Sequence, residues 1–189
     1  MAVGLSEPVN ILPVAGIELA SVASGIKSNG RDDLVLIKIS TDSSCAATFT
    51  QNSFCAAPVI LAKKHLSQAQ PRALIINSGN ANAGTGEQGL QDALQSCEWV
   101  AREIQSNVEE VLPCSTRVSG EHKPMAVLQP GVYLVRHQLS SDNWMDAAQG
   151  IMTPDTVAKG LSNQISIAGH LINITGHATG YGMICPNLA

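Results

Sequence analysis

The segment Ala73-Leu74-Ile75-Ile76-Asn77 is short and rich in branched aliphatic residues, and it runs directly into Asn77-Ser78-Gly79-Asn80-Ala81-Asn82-Ala83-Gly84-Thr85-Gly86. Beyond that turn, Leu90, Ala93, Leu94, Cys97, Val100, Ala101 and Ile104 recur at helical spacing, with Gln91, Asp92, Gln95 and Glu98 on the other side. A strand, a Gly/Asn-rich turn and an amphipathic helix in succession require a fold in which strands and helices intersperse. The rest of the chain fits that pattern. Leu34–Ile39 reads as a largely buried strand after the turn signal Ser28-Asn29-Gly30-Arg31, and a further strand is expected over Cys45–Thr50. The apolar stretch Ala56–Ala62 runs on into Lys63-Lys64-His65. A helix should cover Asn143–Ile151, with Trp144, Ala147, Ala148 and Ile151 on one face and Ser140, Ser141 or Asp142 as its cap. Gln164–Ala168 and His170–Ile174 alternate with period two and should pair as strands joined near Gly169. With no repeat, low-complexity tract or linker, residues 1–189 are expected to form a single domain.

Charge and cysteine usage narrow the function classes. The formal net charge is -4 and only 14% of residues are charged, so there is no basic stripe to hold a phosphate backbone, and nucleic acid is not an expected partner. Neither a secretion signal nor a run of about 18 apolar residues is present, which reads as a cytoplasmic, non-membrane protein. Cys45, Cys55, Cys97, Cys114 and Cys185 are scattered without metal-ligand spacing and read as reduced, mostly buried residues. The five histidines are equally dispersed, so no metal site is expected.

Two loops and the chain end are the places where chemistry could reside. Asn77–Gly86 is open to two readings, a tight asparagine-stabilised corner or an anion site at the start of the following helix; it matches neither GxGxxG nor the GxxxxGK[ST] loop. Pro113-Cys114-Ser115-Thr116-Arg117-Val118-Ser119-Gly120-Glu121 reads as an irregular segment offering hydroxyls and backbone N–H groups, the donors that acyl transfer needs as charge builds on a carbonyl oxygen. The last residues, Thr175 to Ala189, leave a strand, pass three glycines and stop on a small residue.

Several segments taken together resemble the ornithine acetyltransferases, also called bifunctional glutamate N-acetyltransferases. Asn77–Gly86 is similar to that family's asparagine-glycine loop, and Thr48–Asn52 followed by Ala56–Val59 to its early strand and turn. Ala147–Thr156 resembles its helix end and threonine-aspartate-threonine signature, and Gly182–Ala189 the segment preceding its self-cleavage point. The matches keep the family's order and cover nearly the whole chain.

The resemblance implies an α/β layered sandwich in which two central sheets lie between helices, completed by a second chain. It implies that the chain is the α chain of a precursor that cuts itself after Ala189, and that the threonine starting the β chain is the nucleophile. That hydroxyl would take an acetyl group from N-acetylornithine and pass it to glutamate through an acyl-enzyme, a step of arginine biosynthesis, without coenzyme or metal. The Thr116 hydroxyl and the Arg117 backbone N–H fall at the oxyanion positions, and Thr156 and Thr179 at substrate-contacting ones. The implied partners are an obligate β chain, a second αβ pair making a heterotetramer, an N-acyl amino acid and an amino-acid acceptor.

Two positions depart from the family pattern: Arg117 stands where the family has glycine, and Thr179 where it has a substrate-binding lysine. Arginine at a glycine position raises the question of backbone strain. It also suggests that Arg117 replaces the missing lysine charge and binds a substrate carboxylate with its planar fork. A different donor or acceptor, an N-acyl amino acid hydrolase using the same acyl-enzyme, and a catalytically silent amino-acid- or protein-binding relative are the alternatives to ornithine–glutamate exchange.

Overall fold

The computed structural model describes residues 11–154, 156–179 and 188. Four strands form a mixed sheet in chain order: β1 (Ile17–Val22), β2 (Leu34–Ile39), β3 (Ala73–Asn80) and β4 (Val111–Val118). The first two pairings are antiparallel, and β3 pairs with β4 in parallel across a crossover through α2 (Gly86–Ile104). The remaining helices are α1 (Ala57–Leu66), α3 (Met125–His137) and α4 (Trp144–Gly150). A second sheet consists of the hairpin β5 (Lys159–Ile167) and β6 (His170–Ala178). The fold is α/β with two sheets, as the resemblance implied, and the described residues include four α-helices.

Alternation along the strands sends residues to two cores. Ala20, Val22, Leu34, Leu36 and Ile75 face α1, α2 and α3, where Leu61, Val100 and Leu128 are buried against them. Leu19 and Val35 face the opposite way, onto Trp144, Ala147 and Ile151 around α4, with Ile11 and Val14 closing the edge. Each fully buried Leu or Val contributes roughly 1.5–3 kcal/mol, so the four-stranded sheet, covered on both faces, is the rigid part of the molecule. The hairpin is held differently. It turns at Ala168 and Gly169, both at positive φ, and hydrogen bonds from Leu12 to Ser162 and from Thr175 and Asn173 to residues 12 and 13 tie it to the N-terminal segment.

Several expectations need correction. Residues 45–49 form no strand; the segment is mostly exposed, has little apolar surface to bury, and makes only an isolated bridge between Thr50 and Leu188. Pro113–Val118 is not irregular but belongs to β4, where Pro113 is tolerated because β4 is an edge strand. Of the four described cysteines only Cys97 is fully buried, while Cys45, Cys55 and Cys114 are partly exposed.

Lys123, buried just before α3, donates to Ser96 Oγ on α2 at 3.2 Å. Burial lowers its pKa to about 8 and raises those of Cys97 and Cys114 to about 12 and about 11. Above about pH 8 folded Lys123 gives up its proton while the unfolded chain keeps it, so stability rises with pH. Once the pH passes the ordinary cysteine value of 9.0, unfolded cysteines ionise while the Cys97 thiol, and the Cys114 thiol, which is buried although the residue as a whole is partly exposed, stay protonated, and stability falls again. Urea midpoints measured from neutral to alkaline pH should therefore peak near pH 9, and Lys123→Met should flatten the rising limb, leaving only the contribution of Lys27, whose pKa burial also lowers.

Candidate active site

The Gly/Asn loop is the first element that shapes the site, and it is a structural corner. The Asn77 side chain donates to Asn80 O at 2.8 Å, and the Asn80 amide donates to Glu121 O and His122 O. Asn82 donates to Gly89 O at 2.8 Å and accepts from the Thr85 hydroxyl at 2.7 Å. All three asparagines are buried, and their amides are spent on fixing the carboxyl ends of β3 and β4 to the start of α2. Gly89 sits so close to Asn82 and Thr85 that a Cβ there would overlap both side chains.

Beside this corner the loop after β1 folds around one carboxylate. Asp33 is fully buried and accepts four hydrogen bonds, from Ser24 N at 2.7 Å, Ser24 Oγ at 2.6 Å, Gly25 N at 3.1 Å and Lys27 N at 2.8 Å. The Lys27 ammonium, also buried, then reaches across to the end of α4. It donates to Asp32 O at 2.7 Å, Met152 O at 2.9 Å and Gly150 O at 3.4 Å, and Ser78 Oγ meets the same Gly150 carbonyl at 2.6 Å. Burial lowers the Lys27 pKa, opposed by Asp33 and Asp32 and reinforced by the nearby Arg117 guanidinium.

These contacts enclose a cleft of about 480 Å³ whose walls include Lys27, Arg31, Asp32, Arg117, Gln149 and Thr156. Two of the residues singled out from the sequence, Arg117 and Thr156, therefore share one cleft. Thr116, immediately before Arg117, lies near the end of β4 opposite Ser78, and its hydroxyl makes no hydrogen bond to another described residue. Thr179 donates to Ile151 O at 3.2 Å, next to the cleft residue Met152. Ala189, and with it the expected cleavage point, lies outside the described residues.

Arg117 has φ of 110°, in the half of conformational space that glycine favours, and its ladder partner Gly79 has φ of 124°. The strain anticipated for arginine at this position is present. Relief of it should outweigh the added flexibility of glycine, so Arg117→Gly is expected to stabilise the fold by about 1 kcal/mol, measurable by urea denaturation.

Lys27, Arg31 and Asp33 escaped the sequence reading. They flank Ser28-Asn29-Gly30, which registers only as a turn, and the available signal was two adjacent acids immediately before a buried strand.

The architecture is that of solved ornithine acetyltransferase chains. The chain superposes on the ornithine acetyltransferase of Mycobacterium tuberculosis, solved in complex with ornithine, with a TM-score of 0.82 at 35% identity, covering 94% of each chain. It superposes on the arginine biosynthesis bifunctional protein ArgJ of Bacillus halodurans with a TM-score of 0.86 at 31% identity, covering 95% of this chain and 98% of that one.

The chain belongs to the ArgJ family, whose pattern matches residues 18–189. It is 49% identical to the arginine biosynthesis bifunctional protein ArgJ of Methylococcus capsulatus over 96% of its length, and 46% identical to that of Colwellia psychrerythraea over 100%. It spans about half the length of these curated relatives, 44% and 48%. No helix among the described residues is long and apolar enough to cross a membrane.

Proposed function

We propose that this chain is the α chain of a self-processing cytoplasmic acyltransferase of arginine biosynthesis, which moves an acetyl group from N-acetylornithine, or a related N-acyl amino acid, to glutamate or another amine. The observation that carries this reading is the meeting of Arg117 and Thr156 in one cleft, with the uncommitted Thr116 hydroxyl beside it, in a member of the ArgJ family. In this mechanism a threonine following Ala189 attacks the preceding carbonyl through its hydroxyl, the acyl group shifts from nitrogen to oxygen, and water hydrolyses the ester. The freed α-amine, with an ordinary pKa of roughly 8, then serves as general base for the same hydroxyl. That hydroxyl attacks the donor's acetyl carbonyl, and the Thr116 hydroxyl and Arg117 N–H stabilise the oxyanion. Departure of the donor amine leaves an acetyl-threonine ester, which the acceptor amine attacks to regenerate the hydroxyl.

Two features support an obligate second chain. The curated relatives are about twice as long, yet the solved neighbours are matched over 94% and 98% of their chains, so chains of this span occur in the family. Leu161, 78% exposed, shares one face of the β5–β6 hairpin with Ile167, Ile172 and Ile174, an apolar surface that no described residue covers, and two strands alone are marginal. The α chain would then be one domain of an αβ unit that pairs into a heterotetramer.

Incubating the matured protein with N-acetylornithine should release ornithine only when glutamate is present, with N-acetylglutamate formed in equal amount. Equal release without an acceptor would identify a hydrolase instead. A co-purifying polypeptide beginning with threonine is the expected mark of processing, and a single uncut band would favour a catalytically silent relative.

A further inference from the structure

Among the described residues the cleft is lined by three cations, Lys27, Arg31 and Arg117, against one carboxylate, Asp32. They are not equivalent. The Lys27 ammonium has carbonyl acceptors for its three protons and so acts as a tether. The two guanidiniums are uncommitted: the one ion pair among the described residues is Lys38–Glu18, and neither the Arg31 nor the Arg117 side chain hydrogen-bonds a described residue. Arg117 is also held at a strained backbone angle on the cleft wall. Like charges facing one concave space repel one another and any cation that enters, and a guanidinium fork matches a carboxylate in two parallel hydrogen bonds.

Resting on the acyl-transfer reading, we infer that Arg31 and Arg117 form an anion subsite for the substrate side chain, so that the enzyme favours substrates carrying a side-chain carboxylate and disfavours donors whose side chain is an ammonium. The threonine chemistry is unchanged by this; what changes is which amino acids reach it. An N-acyl acidic amino acid is then a better donor than N-acetylornithine, whose δ-ammonium would face both guanidiniums.

The test compares three donors that differ in side-chain charge, N-acetylglutamate, N-acetylglutamine and N-acetylornithine, with the matured αβ protein and its Arg117→Gly and Arg31→Gln variants. Arg117→Gly keeps the backbone N–H, and the neutral donor absorbs any change common to all three. In wild type kcat/KM should fall in the order anionic, neutral, cationic. In each variant the ratio of the anionic to the neutral donor should drop about tenfold, while the ratio of the cationic to the neutral donor rises. Ratios unchanged in both variants would overturn the subsite. Absence of transfer from every donor in wild type would overturn the acyl-transfer reading instead. Calorimetry would still report on the subsite: wild type should bind glutamate at least about tenfold tighter than glutamine, and Arg117→Gly should remove the difference. Equal affinities in wild type would reject it.

Discussion

Thr116→Ala should lower kcat roughly 100- to 1000-fold, the loss typical of removing one oxyanion donor. The side chain stands near the end of β4, opposite Ser78, with no hydrogen-bond partner for its hydroxyl among the described residues, so its removal disturbs no hydrogen bond between them. The urea midpoint should stay within the range of an ordinary surface substitution, about 0.5 kcal/mol. Thr116→Ser retains the donor and should retain most of the activity. Single-turnover acetylation of the enzyme by the donor, followed by mass, isolates the step at which the oxyanion forms. A fall in stability with an unaltered acetylation rate would make Thr116 a packing residue.

Asp33→Ala is expected to have the largest effect on stability, about 3–4 kcal/mol, because it strands donors of a loop that the carboxylate organises. One carboxylate oxygen accepts from Ser24 N and Ser24 Oγ, the other from Gly25 N and Lys27 N. Asparagine cannot substitute, since its amide nitrogen would face one of these donor pairs, and Asp33→Asn should recover less than half of the loss. The loss should extend to the cleft, because the loop carrying Lys27 and Arg31 is the one that loses its centre. Urea denaturation of the assembled protein measures the first effect, and glutamate binding the second. A cost below about 1 kcal/mol for Asp33→Ala would mean that the loop is held by other contacts.

Where side-chain pattern and backbone conformation agreed, the sequence was readable. Helix α2 and the β5–β6 hairpin carry the periodicities of their elements, whereas β2 and β3 are unbroken branched-aliphatic runs buried on both faces of the sheet; the structure contains all of them, with β5 beginning at Lys159 rather than Gln164 and β6 running on to Ala178. The elements that escaped are those whose local signal opposes their tertiary context. In α3 the dipeptide Pro130-Gly131 suggests a break, yet the helix continues because Gly131 lets it press against Ser24 and Leu34, where a Cβ would lie 2.5 Å and 3.0 Å from their side chains. In β4 Pro113 argues against a strand, and only the edge position resolves the conflict. β1 is a short run of mixed polarity that becomes a strand because β2 is there to pair with it. The site followed the same division. Thr116, Arg117 and Thr156 were visible through their likeness to family motifs, whereas Asp33 gathers mainly the backbone amides of its own loop and Lys27 reaches the carbonyls of Gly150 and Met152, contacts to backbone atoms that leave no residue pattern to detect.

That dependence on backbone atoms bears on how such a cleft could change over evolutionary time. The Lys27 ammonium bonds to carbonyls, and three of the four donors to Asp33 are amide N–H groups. Every residue other than proline supplies the same amide, and every residue supplies the same carbonyl. The frame therefore tolerates replacement of several of the residues that compose it, and wall positions such as 31, 117 and 152 can exchange charge or bulk while their loops stay in place. A lineage could acquire a new substrate by single substitutions at the wall without first passing through an unfolded intermediate.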